Sequence, residues 1–123
     1  MIPVDEPKTL GTTDVGKARI KKLVEGKVFH SEMHAFQFAV SLALSRRGIS
    51  DKLSGLNTTW HSGASGVLEL YELTKNLRDQ AFDSEPVLKT VERLAEWGLE
   101  SLEEMHDEKG LIDFNEILEK GSE

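Results

Sequence analysis

Apolar residues recur at three- and four-residue intervals along most of this chain, and runs of strict apolar-polar alternation rich in β-branched residues are missing. The pattern predicts an all-α protein, a compact bundle of four to five helices forming a single domain over residues 1–123. A first helix is expected from Asp14 to Glu25, with Thr13 as N-cap, Ile20, Leu23 and Val24 facing inward, and Gly26 as the stop. The second starts inside "HSEMH": Ser31 is a favoured N-cap and Glu32 places a negative charge in the first turn. Arg46 and Arg47 complement its C-terminal dipole, and Gly48 closes it. A third should run from Val67 to Arg78 and a fourth from Pro86 to His106, with Val87, Val91, Leu94, Leu102 and Met105 as its inner stripe. Gly98 falls inside the fourth, where it costs about 1 kcal/mol relative to alanine and suggests close approach of a neighbouring helix. Asp113 and Glu116 have capping-box spacing, with Ile112 and Ile117 as a hydrophobic staple, predicting a last helix over Phe114 to Lys120.

The second helix is apolar around nearly its whole circumference, so every side of it must be covered. Complete wrapping is hard in a chain of this size. That predicts a homodimer packed through Phe36, Phe38 and Val40.

Residues 48–66, "GISDKLSGLNTTWHSGASG", form a long Gly/Ser-rich connection, a length that marks either function or flexibility. Its "GASG" precedes a helix but lacks both the Gly-Lys-Ser/Thr of a P-loop and the spacing of a nucleophile elbow, so it reads as loop and cap. Trp60 is expected to pin this loop to the core.

With 123 residues, 38% of them hydrophobic and 30% charged, the chain can bury a core without staples. It has no cysteine, which excludes disulfides, thiolate metal sites and cysteine nucleophiles and suggests the cytoplasm. No stretch has the length and apolarity of a membrane span, so no membrane association is expected.

Charge divides unevenly. Residues 1–50 hold eight basic and five acidic side chains, and residues 51–123 hold seven and seventeen. On the first helix Lys17, Arg19, Lys21 and Lys22 make a basic face able to contact DNA phosphates. On the fourth, Glu92, Glu96, Glu100 and Glu103, with Glu104, make an acidic face suited to a protein partner with a basic surface.

Candidate chemistry is sparse. His30 and His34 stand four apart around Glu32, but His30 precedes the helix cap and the glutamate has the wrong offset for H-E-x-x-H. His61 and His106 are distant in sequence. No metal site, cofactor or catalytic residue is therefore expected. A metal-dependent enzyme built from His30, Glu32, His34 and His61 is the weakest of three readings.

Two resemblances add to this picture. Residues 23–44, "LVEGKVFHSEMHAFQFAVSLAL", resemble the two helices of ribbon-helix-helix proteins, which implies a dimer reading DNA with a β-ribbon placed before the first helix. That position is "PKTLGTT", residues 7–13, where Pro7, Gly11 and weak alternation argue against a strand. Residues 28–48 together with 93–105 are similar to small proteins associated with Dnd DNA phosphorothioation systems, through Phe29, Ala35, Phe38, Ala39, Arg46, Arg47, Gly48, Gly98, Leu99 and Leu102. The similarity implies a DNA-modification or phage-defence setting and brings no catalytic residues. The leading expectation is a non-enzymatic accessory or interaction protein with, at most, weak DNA binding. The alternative is a ribbon-helix-helix-like DNA-binding regulator using Lys17, Arg19, Lys21, Lys22 and His34.

Overall fold

In a computed structural model of the chain, which describes residues 2–77 and 85–109 and side chains as far as residue 106, two strands interleave with four helices. The order is β1 (Thr9–Thr12), α1 (Asp14–Glu25), α2 (Glu32–Arg46), β2 (Asn57–His61), α3 (Val67–Leu77) and α4 (Val87–Lys109). The expected C-terminal helix over 114–120 lies outside the described residues.

Local chemistry sets the helix starts. Thr13 is extended and its Oγ1 accepts a bond from the Gly16 amide at 2.9 Å; Ser31 does the same for His34 at 3.2 Å. The stops fall where expected, α1 with Gly26 as its C-cap and α2 at Arg46 with Gly48 just beyond, but other residues make the left-handed turns. Gly26 keeps a negative φ, and it is Lys27, at φ 61°, that turns the chain after α1. After α2, Arg47 takes the left-handed conformation at φ 55°, and Gly48 follows with its amide bonded to the Ala43 carbonyl at 2.9 Å.

The all-α expectation is overturned by β1 and β2, which pair antiparallel as a two-stranded sheet, so the chain is mixed α and β. Thr9 faces His61 and Leu10 faces Trp60; the register then slips, and Gly11 faces Thr58. The extra residue is Thr59, whose hydroxyl lies 3.0 Å from that of Thr12. Gly11 sits at the slip because nothing larger fits: a Cβ there would stand 2.9 Å from the Asn57 carbonyl oxygen and 3.3 Å from a Glu92 oxygen. The sequence that argued against a strand is thus that of a strand lying opposite a bulge.

α2 occupies the centre, flanked by α1, α3 and α4. Phe36 and Val40 have 0% exposure in the single chain, and Phe36 meets Trp60 edge-on at 4.9 Å between ring centroids. Three helices and a strand therefore achieve the wrapping that had seemed to require a second copy, and Phe36 and Val40 are not a dimer surface. Phe38 stays half-buried, 5.4 Å from Phe29.

Candidate functional site

Carboxylates on both sides hold residues 6–19 against α4. Glu6 accepts the Val87 and Leu88 amides at 3.0 and 2.9 Å, occupying the N-terminus of α4 where backbone donors have no helical partner. Glu92 Oε2 takes the Gly11 amide at 2.6 Å. Glu96 receives the Thr13 hydroxyl at 3.0 Å and lies 3.5 Å from Arg19, whose Nε reaches Glu103 at 3.4 Å. Partners rise together along both segments, so residues 6–19 run parallel to α4. Spacings of four and seven put Glu92, Glu96 and Glu103 on one side of the helix, and that side is a seam.

The predicted acidic docking face is corrected accordingly. Glu92 is 4% exposed, the Glu96 side chain 15% and the Glu103 side chain 31%, each engaged within the chain; of the four, Glu100 alone is exposed. A basic-surfaced partner would find little of the expected row. The predicted basic face is divided too. Arg19 is drawn into the seam with 15% side-chain exposure, while Lys17, Lys21 and Lys22 stay exposed, Lys21 with Glu25 at 4.0 Å.

Glu92 also lines a cleft of about 500 Å³, together with Lys52, Leu53, Leu56, Glu85, Pro86, Lys89 and Arg93. Burial pushes its carboxyl up from the ordinary glutamate value of 4.5, outweighing the downward effects of the Gly11 amide and of Lys89. Lys89 Nζ lies 3.3 Å from Oε1 as an ion pair outside hydrogen-bond alignment, so that buried oxygen accepts no hydrogen bond. Arg93 is held by Glu85 at 3.1 Å and by the Ser50 carbonyl at 3.0 Å. Sequence reading missed this cleft. Lys89 at i−3 from Glu92 and a glycine inside a strand were the available signals; Glu6 and Lys52 had none.

The histidines line a separate shallow groove of about 380 Å³ with Val28, Phe29, Gln37, Phe38 and Ser41. His30 and His34 meet edge-on at 6.3 Å, and no group of three or more His, Asp or Glu side chains converges on a possible metal position among the described residues. His34 is exposed on α2, apart from the lysines' own helix. Among the described residues no helix is long and apolar enough to cross a membrane.

Comparison with models of protein families, with curated proteins and with solved structures finds no match.

Proposed function

We propose that the chain is a non-enzymatic interaction protein that works as a homodimer, an accessory in the DNA-modification or phage-defence setting implied by its resemblance to small Dnd-associated proteins. The observation that carries this reading is the outer edge of β2. β1 has β2 on one side and the Glu92 carboxylate on its Gly11 amide on the other. β2 has β1 on one side and no strand on the other among the described residues.

An open strand edge is normally guarded by charge, proline or a covering element. Asn57–His61 is exposed or half-buried throughout and contains no Lys, Arg, Asp, Glu or Pro. A second copy laid antiparallel across a two-fold axis would pair β2 with its equivalent and extend a two-stranded sheet, marginal on its own, to four strands. Light scattering tests this: the native chain should run as a dimer and Thr58→Lys as a monomer with unchanged helical circular dichroism, because each copy then brings a lysine to the axis. A native monomer across the micromolar range defeats it.

A second reading has one observation in its favour. Lys17, Lys21 and Lys22 all stand exposed on α1, where they can contact phosphates without reading bases.

A further inference from the structure

We propose that the groove at the start of α2 is the seat of the chain's own residues 110–118, which lay their apolar face against Phe29 and Phe38. His34, Gln37, Phe38 and Ser41 line this groove, and offsets of three, four and seven place them in one stripe along α2. Val28, Phe29 and His30 of the preceding turn complete the lining. Phe29 and Phe38 are half-buried with ring centroids 5.4 Å apart, an aromatic pair with apolar surface still to bury.

The course of α4 brings that segment to this place. Gly26 lies beside His106, Ala39 beside Gly98 and Gly48 beside Trp97, so α4 runs antiparallel to α2 and ends next to the turn that supplies Phe29. Gly110 directly follows Lys109, the last residue of α4, at the position where glycine commonly reverses a helical chain. A chain reversed there runs alongside α2 in the direction from His34 to Ser41. That stripe is about 10 Å long at 1.5 Å per residue, within reach of residues 110–118. Leu111, Phe114, Ile117 and Leu118 have the spacing of one helical face. A helix as short as the capping box predicts gains its stability only when such a face is covered. Charge agrees with this occupant: residues 110–118 carry Asp113 and Glu116 and no basic side chain, while the groove lining holds two imidazoles and no carboxylate.

The chain has no cysteine, so a pair of introduced cysteines reports on one distance. In the full chain, Ser41→Cys with Lys120→Cys is compared with Lys52→Cys with Lys120→Cys, using a short bismaleimide cross-linker. Ser41 and Lys52 are both exposed, but Lys52 lies beside Arg93 near the start of α4, away from the groove. The Ser41 pair should join within one chain at least about tenfold faster than the Lys52 pair, the ratio expected between a docked segment and a freely ranging one. Adding Ile117→Asp, which would bury an unpaired carboxylate in the groove, should bring the Ser41 pair down to the rate of the Lys52 pair. The Lys52 pair should keep its own rate, which shows that the rest of the fold survives the change. Equal rates for the two pairs overturn the proposal, as does an Ile117→Asp variant that joins as fast as its parent. A product of doubled mass in place of the internal link also overturns it, since the groove would then hold the segment of a second copy.

Discussion

The Cα of Gly98 lies against the backbone of Ala39, so closely that a methyl group on Gly98 would overlap the Ala39 carbonyl oxygen. This contact sets the spacing of α2 and α4, the two most extensively packed helices. Gly98→Ala should therefore destabilise the fold by about 1–3 kcal/mol through overpacking, although alanine in a free helix would gain about 1 kcal/mol. Urea denaturation measures the sign; a stabilised variant would mean the helices can part at no cost.

Arg19 bridges Glu96 and Glu103 in a half-buried setting. Arg19→Ala should cost about 2 kcal/mol, the scale of hydrogen bonds to charged groups. Lys17→Ala, on the exposed side of the same helix, should stay within about 0.5 kcal/mol. A double-mutant cycle with Glu103→Gln should show coupling, and additivity would mean the contact contributes nothing.

Glu92 gives a pH dependence of definite sign. Its folded pKa is raised by burial against the opposing pull of the Gly11 amide and Lys89, with Glu85 adding to the rise. The native state thus holds this proton more tightly than the unfolded chain does. The contribution to stability is fully present below the ordinary value of 4.5 and is lost as pH climbs through the raised one. The difference in Tm between Glu92→Gln and the native chain should accordingly shift in favour of the glutamine variant as pH rises from 4.5. The variant keeps Lys52, Lys89, Glu85 and Arg93 around the same cleft, so a difference that is flat with pH would exclude the raised pKa.

Thr74 is wholly buried in α3, and its hydroxyl has no hydrogen-bond partner among the described residues. Thr74→Val keeps the shape and removes the unsatisfied oxygen, so it should be neutral or stabilise by about 1 kcal/mol. A clear loss on thermal unfolding would reveal a partner for that hydroxyl.

DNA binding, if it runs through α1, should reflect three lysines. Because Arg19 is turned into the seam, log K should fall against log salt with a slope near about −2.7, the counterion release of three phosphate contacts. Fluorescence anisotropy on unrelated duplexes should give equal, weak affinities. Tight, sequence-dependent binding would reinstate a base-reading regulator.

The helices were legible because their caps are local: Thr13 and Ser31 announce α1 and α2 within four residues of chain. Gly98 was legible too, since a glycine inside a strong helical pattern already implies a close neighbour. The strands were not. β1 and β2 are four and five residues long, mostly polar and bulged, and neither carries the alternation that reveals a half-buried strand. Thr-Thr-Trp was the single compositional hint. The acidic row misled for a different reason. Glutamates at helical spacing look the same whether they face water or the chain's own amide and guanidinium groups. Which applies depended on residues 6–19, 77 to 84 positions away, and no window along the sequence spans that distance.

That separation has a consequence for how the chain is made. The contacts of Glu6, Gly11, Thr13 and Arg19 with α4 span 77 to 84 residues. Translation adds about 5–20 residues per second, so roughly 4–16 s pass between synthesis of the N-terminal segment and emergence of the glutamates that hold it. During that wait Leu10, Ile20 and Leu23, all buried in the finished fold, have no α4 to pack against. The nascent chain is then most open to chaperones, to proteolysis and to association with its own neighbours on the same message.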